Sequence, residues 1–441
     1  MILEIDSLGV NGEGVGRHEG LTVFVEGALP NEQVDVEIIQ RKKNYAVGKL
    51  KKILSESDDR VKPLCPIYEK CGGCQLQHLS YNAQLSWKRQ QIDDAVKHIG
   101  KLNVKIFDTL GMENPCAYRN KMQFPVNKIG GKLIVGCYER GSHKIVDTES
   151  CLIQRAGMDE ILSGVKKILQ RFNVSAYDED THRGVLRHVM SRIGARGEIM
   201  IVLVTATKNF PNEKAVVNAI RRELPQVTSI QQNIQTYHNN VILGRETKIL
   251  YGKSFVEDVM GGLKFKISAR SFFQVNTAQA EVLYNVAKNF SDLSGRETVI
   301  DAYCGIGTIS LFMAKSARRV YGIEIVPDAI NDAIKNAREN KIHNAEFIVG
   351  DAVKIIPRLY RDGVRADVVI VDPPRAGCDK KVLETFAAMN PNKIVYVSCN
   401  PATLARDLAI LNELGYTAEK IQPVDMFPFS AHIESVTLLT K

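Results

Sequence analysis

Val299-Ile300-Asp301-Ala302-Tyr303-Cys304-Gly305-Ile306-Gly307-Thr308 is an apolar strand that breaks into a glycine turn and then opens a helix. Glycine lets the backbone approach a ligand closely at a helix N-terminus, where unpaired N–H groups face outward. Taken alone, such a turn is shared by many nucleotide folds. Around it, from about residue 266 onward, strands alternate with amphipathic helices: Thr277 to Phe290, Thr298 to Asp301, Ile309 to Ala317, Arg319 to Ile323, Pro327 to Asn340, Glu346 to Val349 and Val368 to Val371. This alternation predicts a parallel, doubly wound α/β sheet. Ligands in such sheets sit outside the carboxyl ends of the strands. Two further turns therefore matter: Asp372-Pro373-Pro374-Arg375 after the apolar run Ala366 to Val371, and Ser398-Cys399-Asn400-Pro401 after Ile394 to Val397. All three turns are expected to meet at one crevice.

Two more strand ends carry carboxylates. Gly322-Ile323-Glu324 places one where both hydroxyls of a ribose can be bound, and Gly350-Asp351-Ala352 places another to meet an adenine amino group. The order of glycine turn, ribose carboxylate, second acidic turn and Asp-Pro-Pro resembles class I (Rossmann-like) S-adenosylmethionine methyltransferases rather than dinucleotide dehydrogenases. Against that background Cys399 acquires a chemical reason. Carbon 5 of a pyrimidine is a poor nucleophile until a thiolate adds to carbon 6, so methylation there requires a nucleophilic cysteine. A base must then remove the carbon 5 proton so that elimination frees the enzyme. Glu434, in His432-Ile433-Glu434-Ser435 between the apolar runs Met426 to Phe429 and Val436 to Leu439, is the candidate. Asp372 is expected near the transferred methyl, with Pro373 and Pro374 stiffening that wall.

Upstream the pattern changes twice. Residues 1–55 read as short alternating strands with glycine-rich turns, among them Asn11 to Gly16, and predict a small β-barrel. Its basic loop Arg41-Lys42-Lys43-Asn44-Tyr45 has the cations and the aromatic ring that a phosphate-tracking, base-stacking surface uses, although a solvated hairpin turn has the same composition. Residues 61–265 read as an α+β unit with a mostly antiparallel sheet, entered through a cysteine-rich insert and the helical stretch Gln84 to Ile99. Within it, Tyr118-Arg119-Asn120-Lys121 is a cluster that could hold phosphate or a displaced base.

Cys65, Cys71 and Cys74 enclose Gly72-Gly73 in a Cys-x5-Cys-x2-Cys pattern. Three thiolates so close favour a metal site, with zinc and an iron–sulfur cluster both permitted by ligand type. Spacing alone leaves the fourth ligand open among Cys116, Cys137 and Cys151. Nine cysteines at irregular spacing in 441 residues are no disulfide framework. With 44% apolar and 24% charged residues the chain reads as ordinary globular protein. No apolar run approaches the roughly 20 residues of a membrane span, and the default expectation is a cytoplasmic monomer. A net charge of +8 and a pI near 8.9 favour a polyanionic partner.

Phe272-Phe273-Gln274-Val275-Asn276, the glycine turn, Asp372-Pro373-Pro374-Arg375, Ser398-Cys399-Asn400-Pro401 and His432-Ile433-Glu434 together resemble the uridine-C5 RNA methyltransferase family, which makes 5-methyluridine. The resemblance covers essentially the whole chain. It implies Cys399 as nucleophile, Glu434 as proton acceptor, and Gln274, Tyr303, Thr308, Glu324, Asp351 and Asp372 around S-adenosylmethionine. Thr308 stands where some relatives have asparagine. The resemblance also selects Cys151 as the fourth ligand of a [4Fe-4S] cluster with Cys65, Cys71 and Cys74, as in the branch acting on 23S ribosomal RNA, and likens the barrel to the TRAM RNA-binding domain. The target uridine is expected to be flipped or presented in a loop, with Phe272 stacking in its place. Rival expectations are the same reaction on tRNA, cytidine-C5 methylation, and a non-catalytic iron–sulfur RNA-binding protein; intact Cys399, Glu434 and Asp372 speak against the last.

Overall fold

The computed structural model describes residues 1–441. At the N-terminus five strands, Ile2–Leu8, Gly14–His18, Leu21–Val25, Gln33–Arg41 and Tyr45–Ser55, close into a barrel, the first pairing with both the second and the fourth. Alternate residues point inward, so that Leu3, Ile5, Val23, Val25, Val34 and Val36 form a small separate core. The wall is tight: at Gly48 a Cβ would lie 2.3 Å from Val36.

The central sheet has seven strands in the order Glu246–Gly252, Val227–Ile234, Ile199–Thr205, Leu186–Ile193, Lys121–Ile129, Lys132–Tyr138, Ile145–Asp147. Only Ile199–Thr205 and Val227–Ile234 run parallel, joined by the helix Glu213–Glu223. That helix and Met158–Arg171 cover one face and bury it. Met190, Met200 and Val202, also on this sheet, join a core shared with the C-terminal third. The two middle strands are therefore buried along their whole lengths.

The C-terminal sheet runs Ala345–Val349, Arg319–Glu324, Thr298–Asp301, Val368–Val371, Lys393–Ser398, Glu434–Thr440, Thr417–Val424, Lys105–Ile106. The first five strands are parallel with helices between them, and Glu434–Thr440 enters antiparallel against Lys393–Ser398. Strands covered on both faces need continuous apolar sequence, which Val368–Val371 supplies.

The expected boundary at residue 266 is crossed by segments that precede it. The helix Tyr81–His98, begun at Ser80, whose hydroxyl accepts from the Ala83 N–H at 3.3 Å, buries Ile92 and Val96 in the core of the C-terminal unit, and Lys105–Ile106 is that unit's edge strand. The hairpin Phe255–Met260/Leu263–Ser268 also packs there. Helical periodicity marks an apolar stripe without saying which core receives it. The join is polar as well: Lys88, fully buried, reaches Asp425 at 2.6 Å and the Phe427 carbonyl at 3.0 Å, and Tyr81 donates to the same Asp425 at 2.9 Å. Removing one partner of such a pair leaves an uncompensated buried charge. No helix is long and apolar enough to cross a membrane.

Candidate active site

The sheet brings the candidate residues to one edge. Cys399 directly follows the strand Lys393–Ser398, and Glu434 begins the antiparallel neighbour. Ser398 is paired with Ser435, so Cys399 and Glu434 leave adjacent strands at the same end. Asp372 follows Val368–Val371, whose last residue is paired with Tyr396. Asn400 caps the helix Pro401–Glu413 and donates its amide to the Arg375 carbonyl at 3.0 Å, tying the cysteine turn to the Asp-Pro-Pro-Arg turn. The Arg375 guanidinium lies 3.2 Å from His432 Nε2.

Electrostatics at this edge are dominated by burial and by like charges. Glu434 is held well above the usual carboxylate range by burial and by Asp372, while Arg375 pulls it down. Asp372 is pushed up to about 7 by burial and by Asp301. The Cys399 thiol is pushed up to about 11 by burial, Glu434 and Asp372, again with Arg375 opposing. Arg375 is thus the cation that favours both the thiolate and the carboxylate. Nothing in the motif Asp372-Pro373-Pro374-Arg375 by itself marks Arg375 for this part.

Farther along the edge, Gly305 and Gly307 take φ of +55° and +82°, and a Cβ on Gly305 would meet nothing within 4 Å. Open space lies over this turn. One Glu324 oxygen accepts from the Gly305 N–H at 3.2 Å and the other from Val326 N–H at 2.9 Å, which fixes the carboxylate beside the turn. Asp351 caps the helix Ala352–Arg361 through Val353 N–H at 3.0 Å. Fully buried Tyr284, which no sequence motif marks, lies beside Gln274 and 3.3 Å from the Thr308 hydroxyl. Tyr303 is half-buried against Cys378. Asp301 accepts from the Ser310 hydroxyl at 2.6 Å, while its other oxygen has no partner. That orphan acceptor inside the glycine-turn motif was legible only as part of the strand.

Away from this edge, Cys65, Cys71, Cys74 and Cys151 line one small, largely apolar cavity of about 40 Å³ together with Cys137, whereas Cys116 is not part of its wall. The Gly73 N–H donates to Cys71 Sγ at 3.3 Å. No three His, Cys, Asp or Glu side chains converge closely enough to hold a single metal ion. The segment also grips the loop before Glu434. The Phe429 carbonyl accepts from the Gln75 and Leu76 N–H groups, each at 2.9 Å, and Ala431 N–H donates to the Gln75 side chain at 3.3 Å.

The candidates for RNA contact divide. Lys42 and Lys43 are exposed, Tyr45 is partly exposed and edge-on to Phe24, and Phe272 is 66% exposed. Tyr118 and Asn120 are buried and committed elsewhere, Tyr118 to the Pro428 carbonyl at 3.2 Å and Asn120 to the Gln274 carbonyl and Thr277. They brace the site from behind, so the expectation that this cluster presents a base-holding surface is corrected for those two residues.

The tRNA (uracil-5-)-methyltransferase family profile matches residues 80–441, and the TRAM domain profile matches residues 3–51. A protein of Clostridium tetani described as an uncharacterized RNA methyltransferase is 52% identical over 439 residues, covering 99% of this chain and 95% of that one. Another of that description from Halalkalibacterium halodurans is 49% identical over 437 residues, covering 99% and 95%. Among solved structures, the Pyrococcus abyssi tRNA (uracil-54, C5)-methyltransferase in complex with S-adenosyl-L-homocysteine superimposes with a TM-score of 0.80 at 28% identity, covering all of both chains. The doubly wound sheet, its reactive edge and these matches agree: the chain belongs to the tRNA (uracil-5-)-methyltransferase family of RNA methyltransferases and carries a TRAM domain at its N-terminus.

Proposed function

We propose that this protein methylates carbon 5 of a uridine in 23S ribosomal RNA through a covalent Cys399 adduct. The observation that carries the chemistry is the Ser398–Ser435 register, which sets a thiol and a carboxyl group side by side at the ligand edge. S-adenosylmethionine, when bound, supplies the electrophilic methyl group. The residues suit it: open space over the Gly305 turn, a Glu324 carboxylate oriented for a ribose, Asp351 one strand farther out, and the unpartnered Asp301 oxygen. Gln274, Tyr303 and Thr308 complete this wall, and Asp372 closes it toward Cys399.

The Cys399 thiolate adds to carbon 6 of the uracil, which makes carbon 5 nucleophilic. Once carbon 5 carries the methyl group, Glu434 accepts its proton and the carbon–sulfur bond breaks, returning the thiolate. Both steps need the ionised forms that burial disfavours and Arg375 favours.

Cys65, Cys71, Cys74 and Cys151 are the proposed ligands of a [4Fe-4S] cluster. These four thiols line one cavity together with Cys137, and such an all-cysteine donor set is of the type that holds an iron–sulfur cluster. Its part is structural: these residues anchor the segment that grips Phe429 and Ala431 ahead of Glu434. The proposed cluster is what favours the ribosomal reading. Methylation of tRNA is the second reading, favoured by the full-length superposition on the Pyrococcus abyssi tRNA enzyme, because a barrel found in that match does not separate the two substrates.

Anaerobically purified protein given methyl-labelled S-adenosylmethionine and unmodified total RNA tests these points together. Label in large-subunit RNA as 5-methyluridine, with iron and sulfide in equal amounts in the protein, is the expected result. Label in tRNA transfers the mechanism to the second reading, and label in neither overturns both.

A further inference from the structure

Beside Cys399 opens a cavity of about 820 Å³ whose other end is built by the N-terminal barrel. One wall is the helix Tyr81–His98, and the floor is the cysteine turn with His432 and Ile433. Trp87, the chain's single tryptophan, stands half-buried where barrel and helix meet, its indole N–H 3.5 Å from the Leu8 carbonyl. Val10, 74% exposed in the turn after the first barrel strand, lines the same cavity. One turn along the helix, the Gln91 amide nitrogen is buried and has no hydrogen-bond partner.

The charges say what fits. Of the lining residues, Arg375 is the only lysine or arginine and Asp94 the only carboxylate, and Asp94 already accepts from Gln90 at 2.8 Å. A phosphate-tracking groove needs several cations, and exposed Lys42 and Lys43 lie outside this lining. An aromatic face, apolar walls and a free amide are instead the groups that stack and read an unpaired base. The volume exceeds what a single uracil at Cys399 fills.

We propose that Trp87 and Gln91 form a second base subsite, which holds an unpaired nucleotide adjoining the target uridine and sets RNA affinity without touching the reacting atoms. The inference rests on the uridine methylation reading above. Continuity of the cavity with Cys399 commits the occupant to the same RNA strand.

Because the chain has one tryptophan, its fluorescence reports this site alone. Protein loaded with S-adenosylhomocysteine is titrated with uridine monophosphate and, separately, with a uridine-centred single-stranded oligoribonucleotide of about seven nucleotides. The oligonucleotide quenches the emission and the mononucleotide does not; an oligonucleotide retained on a filter without quenching overturns the subsite. In methyl transfer to unmodified ribosomal RNA, Trp87→Ala raises KM about tenfold with kcat little changed, while Trp87→Phe stays close to native. Should Trp87→Ala fail to fold, Gln91→Ala decides, with a several-fold rise in KM expected. Unchanged KM in a folded Trp87→Ala or Gln91→Ala protein overturns the subsite and leaves the methylation reading standing. A native protein that forms no 5-methyluridine overturns the reading itself.

Discussion

The reactive edge of the C-terminal sheet and the cysteine-lined cavity of the central unit are built in opposite ways. At the edge, each reactive group is the residue at a strand end: Asp301, Glu324, Asp372, Cys399 and Glu434 stand where backbone pairing puts them. The cavity draws its thiols from two distant segments, around residues 65–74 and 137–151, that only tertiary packing unites. A site made of strand ends inherits its geometry from the ladder and tolerates strong electrostatic frustration. A site made of loops needs something to hold it, and the proposed cluster is that fastening.

Substitutions at the edge should therefore change chemistry and leave the fold intact. Cys399→Ala is expected to lose product and covalent adduct by on the order of 10⁴-fold or more, with cofactor affinity unchanged by isothermal titration. Residual turnover near the native rate breaks the covalent mechanism. Glu434→Gln should slow release by about 10²- to 10⁴-fold and accumulate methylated RNA bound to protein, visible as a shifted band on a denaturing gel. Free product at the native rate moves the proton transfer to another residue. Arg375→Gln removes the cation that lowers Cys399 and Glu434, so both rise further; the rate at pH 7 falls about tenfold, and the pH–rate profile moves toward alkaline pH.

The smallest effect sharpens the contrast from the stability side. The folded chain holds Asp372 protonated up to about pH 7, whereas an unfolded aspartate ionises near 4, so its contribution to stability is present at low pH and declines as pH rises between those values. Asp372→Asn abolishes that decline. The variant should match the native protein at pH 4 and be the more stable of the two at pH 8 in urea denaturation, while losing activity. No gain at pH 8 means that Asp372 ionises freely.

The same contrast explains what was legible in the sequence. Apolar strands ending in Asp-Pro-Pro or Ser-Cys-Asn-Pro announce both the sheet and the positions of their reactive groups, because local pattern and function coincide there. Tyr284 carries no such mark: it lies within the apolar pattern of the helix Thr277–Ser291, and only packing shows it joining Gln274 to Thr308. Tyr118 and Asn120 looked like a binding surface by residue type and are buried braces. The helix Tyr81–His98 was readable as a helix, but its place in the C-terminal core was not, since nothing local to Lys88 points to Asp425.

That placement has a consequence for the making of the protein. Ribosomal synthesis releases Lys88 and Ile92 hundreds of residues before Asp425 and the strand Thr417–Val424 that complete their surroundings. The barrel can close as it emerges, since its five strands are contiguous. The helix behind it waits with its apolar stripe uncovered until the helix Pro401–Glu413 and the strand Thr417–Val424 have followed. Closure of the C-terminal core around that helix is thus a late event, and a chain halted before Asp425 leaves Lys88 without its buried partner.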